Sequence, residues 1–180
     1  ETWAAALPEA ELEAALLPLL AEEPRRVRLQ AAEALAAACA ARPARLHPLL
    51  QQLFGLYKEK VFVPPAAPPP FGEPEPEDEE WRARQGVALA LAAAAPALRA
   101  KEQLPVVFAF LKKQALGDDH EAVASQFVEA GRKVIEKQAD GAYADFTVLH
   151  SRVDRRPAFS IALVGISLRS KQSCRDMDCG

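Results

Sequence analysis

A short helical motif occurs three times along this chain. Its copies begin with the stretches Val27-Arg28-x-x-Ala31, Ala83-Arg84-x-x-Val87 and Val123-Ala124-x-x-Phe127. Arg84 and Ala124 are 40 positions apart, whereas Arg28 and Arg84 are 56 positions apart. The longer interval contains seven prolines within residues 64–76 and six acidic residues within residues 73–80, which we interpret as a solvated loop. Without that loop, both intervals are about 40 residues.

The residues around these motifs predict helices and little else. Leucine and alanine carry the apolar character, the aromatic share is only 7%, and apolar positions recur at helical spacing. Six helices are predicted, over about residues 8–20, 25–41, 44–60, 81–94, 102–116 and 119–138. A period of about 40 residues made of two helices is the signature of HEAT or armadillo repeats. We therefore predict an all-α fold, an α-solenoid of about three HEAT repeats with six antiparallel helices and an irregular C-terminal tail.

Four segments follow from this assignment. Residues 1–63 are predicted to form a HEAT repeat and the first helix of the next, and residues 64–80 a proline- and acid-rich insertion loop. Residues 81–141 hold the remaining HEAT helices, and residues 142–180 form an irregular or atypical tail. Insertions in a solenoid fall between helices and leave the stack intact, so a long loop is tolerated at this place.

Three blocks of the sequence resemble one family of HEAT proteins. They are Leu56-Tyr57-Lys58-Glu59-Lys60-Val61-Phe62-Val63-Pro64-Pro65, Trp81-Arg82-Ala83-Arg84-Gln85-Gly86-Val87-Ala88-Leu89-Ala90-Leu91 and Ala115-Leu116-Gly117-Asp118-Asp119-His120-Glu121-Ala122-Val123. In order and spacing, these blocks are similar to the Gcn-type (general control) translational activator, the ribosome-associated HEAT protein that senses stalled ribosomes. The resemblance covers about residues 8–141, and it is lost over residues 142–180.

The resemblance implies a role in translational control. That family promotes activation of the kinase that phosphorylates initiation factor two α during amino-acid starvation. The resemblance therefore implies a non-catalytic scaffold whose partners are the ribosome and this kinase pathway, although the kinase-binding region of the family lies elsewhere. Ala124 departs from the family pattern, because arginine is usual at this place in the repeat.

Two other functions remain open from the sequence. A generic HEAT adaptor in transport or phosphatase assemblies is the first alternative, and a helical-repeat lyase is a remote second. We expect a cytoplasmic protein without a membrane-spanning segment, because no apolar run reaches about 18 residues. The net charge of −3 gives no reason to expect direct DNA binding.

The residue patterns predict no catalytic site, no cofactor and no metal. The three histidines have no metal-ligand spacing, and no glycine-rich phosphate loop occurs. The stretch Asp118-Asp119-His120-Glu121 superficially resembles a metal cluster, but we interpret it as a helix start with a capping box between Asp118 and Glu121. Cys39 lies in an alanine-rich helix and is interpreted as a small core residue.

Arginines at the start of the second helix of each pair are the remaining candidates. Arg25 and Arg26 are candidate surface contacts for a phosphate or an acidic group. For Arg28 and Arg84 we favour a structural role, in which the side chain packs along the stack and pairs with an acid of a neighbouring repeat.

Overall fold

The computed structural model describes residues 9–63, 77–99 and 102–137. Within these ranges the chain forms six α-helices and no strands. The helices are α1 Glu9–Leu16, α2 Arg25–Ala41, α3 Leu46–Glu59, α4 Trp81–Ala94, α5 Leu104–Lys113 and α6 Glu121–Lys137. The predicted irregular tail and most of the predicted insertion loop lie outside the described residues.

Prolines fix several of the helix boundaries. Pro24 precedes α2 with an extended backbone, and α2 covers the predicted residues 25–41. The prediction of one helix over residues 8–20 was wrong, because α1 ends at Leu16 and Pro18–Ala21 form a 3₁₀ turn. Proline lacks an N–H and its ring clashes with the preceding turn, so it cannot continue an α-helix. The fifth helix is also shorter than predicted, since a 3₁₀ turn occupies Ala115–Gly117.

The helices pack as three pairs, α1 with α2, α3 with α4, and α5 with α6. The second helices of the pairs form one layer in which α4 lies between α2 and α6. The first helices meet beside this layer, where Phe54 of α3 stacks on Phe110 of α5 with ring centroids 4.1 Å apart. Side-by-side helix pairs confirm the predicted all-α solenoid of HEAT type.

The position of α4 explains its composition. Eleven of its fourteen residues are buried, compared with five of seventeen in α2 and six of seventeen in α6. A helix packed on several sides needs small residues, and six of the eleven buried residues of α4 are alanine or glycine, including Gly86. A Cβ atom at Gly86 would lie 2.0 Å from the carbonyl oxygen of Leu20. Glycine is therefore required where α4 approaches the 3₁₀ turn of the first pair.

A hydrogen bond connects the two outer helices of this layer. Nη2 of Arg25, at the start of α2, donates a hydrogen bond of 3.3 Å to Oε1 of Gln126 on α6. The two side chains meet across α4 on one face of the layer, which we call the inner surface. In the described part of the chain, no helix is long and apolar enough to cross a membrane.

Candidate functional site

The most highly connected polar group of the described structure is the guanidinium of Arg84, near the start of α4. The side chain is only 2% exposed. Its Nε and Nη2 atoms donate to the two carboxylate oxygens of Asp118 at 2.8 and 3.0 Å, which is a bidentate ion pair. Nη1 donates to Oδ1 of Asp78 at 3.0 Å and to the carbonyl oxygen of Lys60 at 2.7 Å. Because Asp78 precedes α4 and Asp118 precedes α6, Arg84 joins the second and third repeats.

Two further donors complete the environment of Asp118. The hydroxyl of Tyr57 donates to Oδ2 at 2.9 Å, and the main-chain N–H of His120 donates to Oδ1 at 3.0 Å. The predicted capping box was therefore wrong in detail, because Asp118 accepts from the residue two positions on and its carboxylate is mainly bound by Arg84. Burial and the neighbouring Asp118 carboxylate raise the pKa of Tyr57, so its hydroxyl keeps its proton and acts as a donor.

The charges in this network reinforce one another. Burial alone would lower the pKa of Arg84, but its hydrogen bonds to Asp78 and Asp118 raise that pKa above the ordinary value. The hydrogen bond from Arg84 in turn lowers the pKa of Asp78. The opposite charges of Arg84 and Asp78 therefore stabilise each other's charged forms.

Arg28 occupies the equivalent position of the first repeat but has different partners. It is also 2% exposed, and it donates to the carbonyl oxygen of Glu23 and to Oε1 of Gln85, each at 2.7 Å, and to the carbonyl oxygen of Glu22. These acceptors are neutral, so the prediction of an acidic partner is confirmed for Arg84 and not for Arg28. Burial, with repulsion from Arg82 and Arg25, lowers the pKa of Arg28.

The stretch that resembles a metal cluster has a structural role. No group of three or more histidine, cysteine, aspartate or glutamate side chains among the described residues is arranged to hold a metal ion. The ring of His120 stacks on Trp81 with centroids 4.6 Å apart and planes inclined by 6°. The guanidinium groups of Arg28 and Arg82 lie 5.6 and 5.1 Å from the centroid of the Trp81 ring. Trp81, the first residue of α4, thus packs between side chains of the two neighbouring repeats.

The two predicted surface contacts, Arg25 and Arg26, are both exposed at the start of α2. Arg25 bridges to Gln126 across the inner surface, as described above. The structure therefore places both side chains on one edge of the solenoid, where second helices begin, and the predicted contact with a phosphate or acidic group stays a prediction.

Sequence reasoning missed Asp78 and Asp118 as the acids that bind Arg84. A signal for them does exist in the sequence. Asp78 lies six positions before Arg84, Asp118 lies six positions before Ala124, and the two aspartates are 40 positions apart. Aspartate thus recurs at the same place of two repeats, and the arginine of the second repeat binds both copies. Ala124, which is buried, offers no guanidinium with which to extend this chain of ion pairs to a following repeat.

Comparison with known families identifies this architecture. A family model described as "Stalled ribosome sensor GCN1, HEAT repeats" matches residues 2–147, which is well over half of the chain. Comparisons with curated proteins and with solved structures found no match. The matched range includes all three helix pairs and the Arg84 network, and it confirms the resemblance seen in the sequence blocks. The chain therefore belongs to the family of HEAT repeats of the stalled ribosome sensor GCN1.

Proposed function

We propose that this chain is a non-catalytic scaffold segment of a ribosome-associated translational activator in the cytoplasm. It supplies length and curvature to a solenoid that spans ribosomes and thereby promotes activation of the kinase that phosphorylates initiation factor two α. Membership in the GCN1 repeat family supports the link to the ribosome. The proposed link to the kinase pathway rests on the resemblance of this chain to that family of translational activators.

One observation carries the scaffold role. Arg84, the best-connected buried charge of the described residues, fastens the second repeat to the third through its ion pair with Asp118. An active site needs polar groups that converge on a cavity open to a substrate. Here the buried polar groups face each other across a junction, which supports a function based on shape.

We assign the ribosome-facing contact to the edge where α2 begins. Arg25 and Arg26 are adjacent and exposed there, and a guanidinium binds phosphate oxygens in a bidentate manner. Ribosomal RNA offers a dense array of phosphates, so two arginines contribute a weak contact that depends on salt.

Co-sedimentation of the purified 180-residue chain with ribosomes tests both parts of this proposal. At about 50 mM salt we expect weak binding that is lost at about 200 mM salt, because surface charges are screened. Arg26→Glu should weaken the binding at low salt. Lys113→Glu, which changes an exposed charge at the end of α5, is the matched control and should leave it unchanged.

Each alternative outcome has a clear meaning. Binding as strong as that of the complete activator would contradict the purely structural role. Equal effects of Arg26→Glu and Lys113→Glu, or no binding at low salt, would contradict the assigned contact edge.

A further inference from the structure

A groove with a cavity volume of about 570 Å³ lies on the inner surface of the solenoid, between α2 and α4. Its floor and walls are formed mainly by small or aliphatic side chains, including Leu29, Ala36, Ala37, Leu89 and Ala93. Neither the Arg84 network nor the proposed ribosome contact uses these residues. The groove is therefore a separate feature of the same fold.

The shape of the groove selects the conformation of an occupant. It follows α2 from Leu29 to Ala40, a distance of about 16 Å or three helical turns. Both long walls are helices, whose main-chain groups are already hydrogen-bonded within the helix. An extended peptide would find no backbone partners there, whereas a helix satisfies its own. Alanine walls also allow the backbone of a helix to approach closely.

Charges at the rim select the chemistry of the occupant. Glu33 on α2 lies on one flank, and Lys133 on α6 and Arg99 after α4 lie on the other. All three side chains are exposed. A helix with acidic residues along one flank and basic residues along the opposite flank complements this rim in only one orientation.

We propose that the groove binds an amphipathic helix of a protein partner. The helix presents small and aliphatic residues to the alanine walls, carboxylates to Lys133 and Arg99, and a basic residue to Glu33. This inference goes beyond the proposed ribosome association and does not depend on it, because it concerns a different surface and a different ligand.

Three synthetic helical peptides of about 18 residues serve as probes. All share one alanine and leucine face. The first carries glutamates and lysines on the flanks that match the rim, the second carries lysines on both flanks, and the third has its flank residues in scrambled order. Fluorescence anisotropy with the 180-residue chain should show roughly tenfold tighter binding of the first peptide than of either other one.

Substitutions at two exposed alanines of α2 locate the binding site. Ala37 lines the groove, whereas Ala34, exposed on the same helix, does not. Ala37→Arg should weaken binding of the first peptide at least tenfold, and Ala34→Arg should change it less than about twofold. Lys133→Glu should shift the preference toward the peptide with lysines on both flanks.

Several results would overturn the proposal. These are equal binding of the three peptides, equal effects of the two alanine substitutions, or an unchanged preference in Lys133→Glu. Sedimentation equilibrium of the chain alone tests whether a second copy of this chain occupies the groove instead. A self-association that Ala37→Arg abolishes and Ala34→Arg preserves would assign the groove to a second copy of this chain.

Discussion

The two junctions between repeats differ in how they are held together. At the first junction, between the first and second repeats, Arg28 donates to neutral oxygens, and Gly86 permits close contact with the backbone at Leu20. Arg45 also forms an ion pair with Glu13 of α1 across this junction. At the second junction, Arg84 binds Asp78 and Asp118 as ion pairs. The same position of the repeat therefore carries an arginine with a lowered pKa at one junction and an arginine with a raised pKa at the next.

Aromatic packing follows the same division. At the second junction, the ring of Tyr57 lies 5.2 Å from that of Phe110 and 5.4 Å from that of Phe127, centroid to centroid. At the first junction, α2 and α4 meet mostly through alanine and leucine. The first junction thus combines close approach of backbones with the ion pair of Glu13 and Arg45, and the second combines aromatic side chains with the ion pairs of Arg84. A repeat architecture fixes where neighbours meet but leaves open which interactions join them.

Replacing Arg84 or Arg28 should give the largest difference between the two junctions in the free energy of unfolding. Arg84→Met removes the partner of two carboxylates and leaves the buried Asp118 without its countercharge, so the free energy of unfolding should fall by about 3–5 kcal/mol. Arg28→Met removes hydrogen bonds to neutral acceptors and should cost about 1–2 kcal/mol. Urea unfolding followed by circular dichroism measures both values. Equal losses would show that the two junctions are held in the same way.

The close approach at the first junction is tested at Gly86. Gly86→Ala places a Cβ atom 2.0 Å from the oxygen of Leu20, so α4 has to move and stability should fall by about 2–3 kcal/mol. Gly131→Ala in α6 is the control, because its Cβ would lie 3.6 Å from Cδ1 of Leu111. Alanine is the better helix former there, so this substitution should raise the unfolding temperature slightly. An unchanged unfolding temperature in Gly86→Ala would refute the tight contact.

Tyr57→Phe removes only the hydroxyl at the second junction. The ring contacts with Phe110 and Phe127 remain, while the hydrogen bond to Asp118 and a longer one of 3.4 Å to the carbonyl oxygen of Gln114 are lost. We expect a loss of about 1–2 kcal/mol in the free energy of unfolding. Combining this change with Arg84→Met should give a total different from the sum of the single effects, because both side chains bind Asp118. Additive losses would mean that Tyr57 and Arg84 act independently.

The smallest expected effect is on how the stability of the chain depends on pH. The pKa of Asp78 is lower in the folded chain than in the unfolded chain, where it is about 3.9. Its contribution to stability is therefore present above that unfolded value and is lost as the pH falls through the folded pKa. The stability difference between the unmodified chain and Asp78→Asn should shrink as the pH is lowered from about 6 to about 2. A difference that does not depend on pH would contradict the ion pair.

A surface carboxylate provides the reference for this titration. Glu129 on α6 also has a lowered pKa, through its hydrogen bond with Arg132. Both of these side chains are about one-third exposed, so solvent screens their interaction. Glu129→Gln should therefore change the pH dependence less than Asp78→Asn does.

Local sequence signals determined the helices and the class of fold. Apolar spacing, together with prolines such as Pro24, placed α2 and α4 within the predicted bounds, because both signals act over a few neighbouring residues. Where two local signals competed, the predicted helix boundary was wrong. The leucines of residues 12–20 favoured one helix, but Pro18 ended it.

The partners across the repeats were decided only by the tertiary structure. Arg28 and Arg84 are followed by the same small and apolar pattern, and each has an acidic residue six positions before it. Their partners differ because Asp118 lies opposite Arg84 in the stack, whereas Gln85 lies opposite Arg28. The sequence by itself determined that helices pair and repeat, since that depends on hydrophobic periodicity. Which side chains meet between repeats depends on the register of the stack, and this is set by packing over the whole interface.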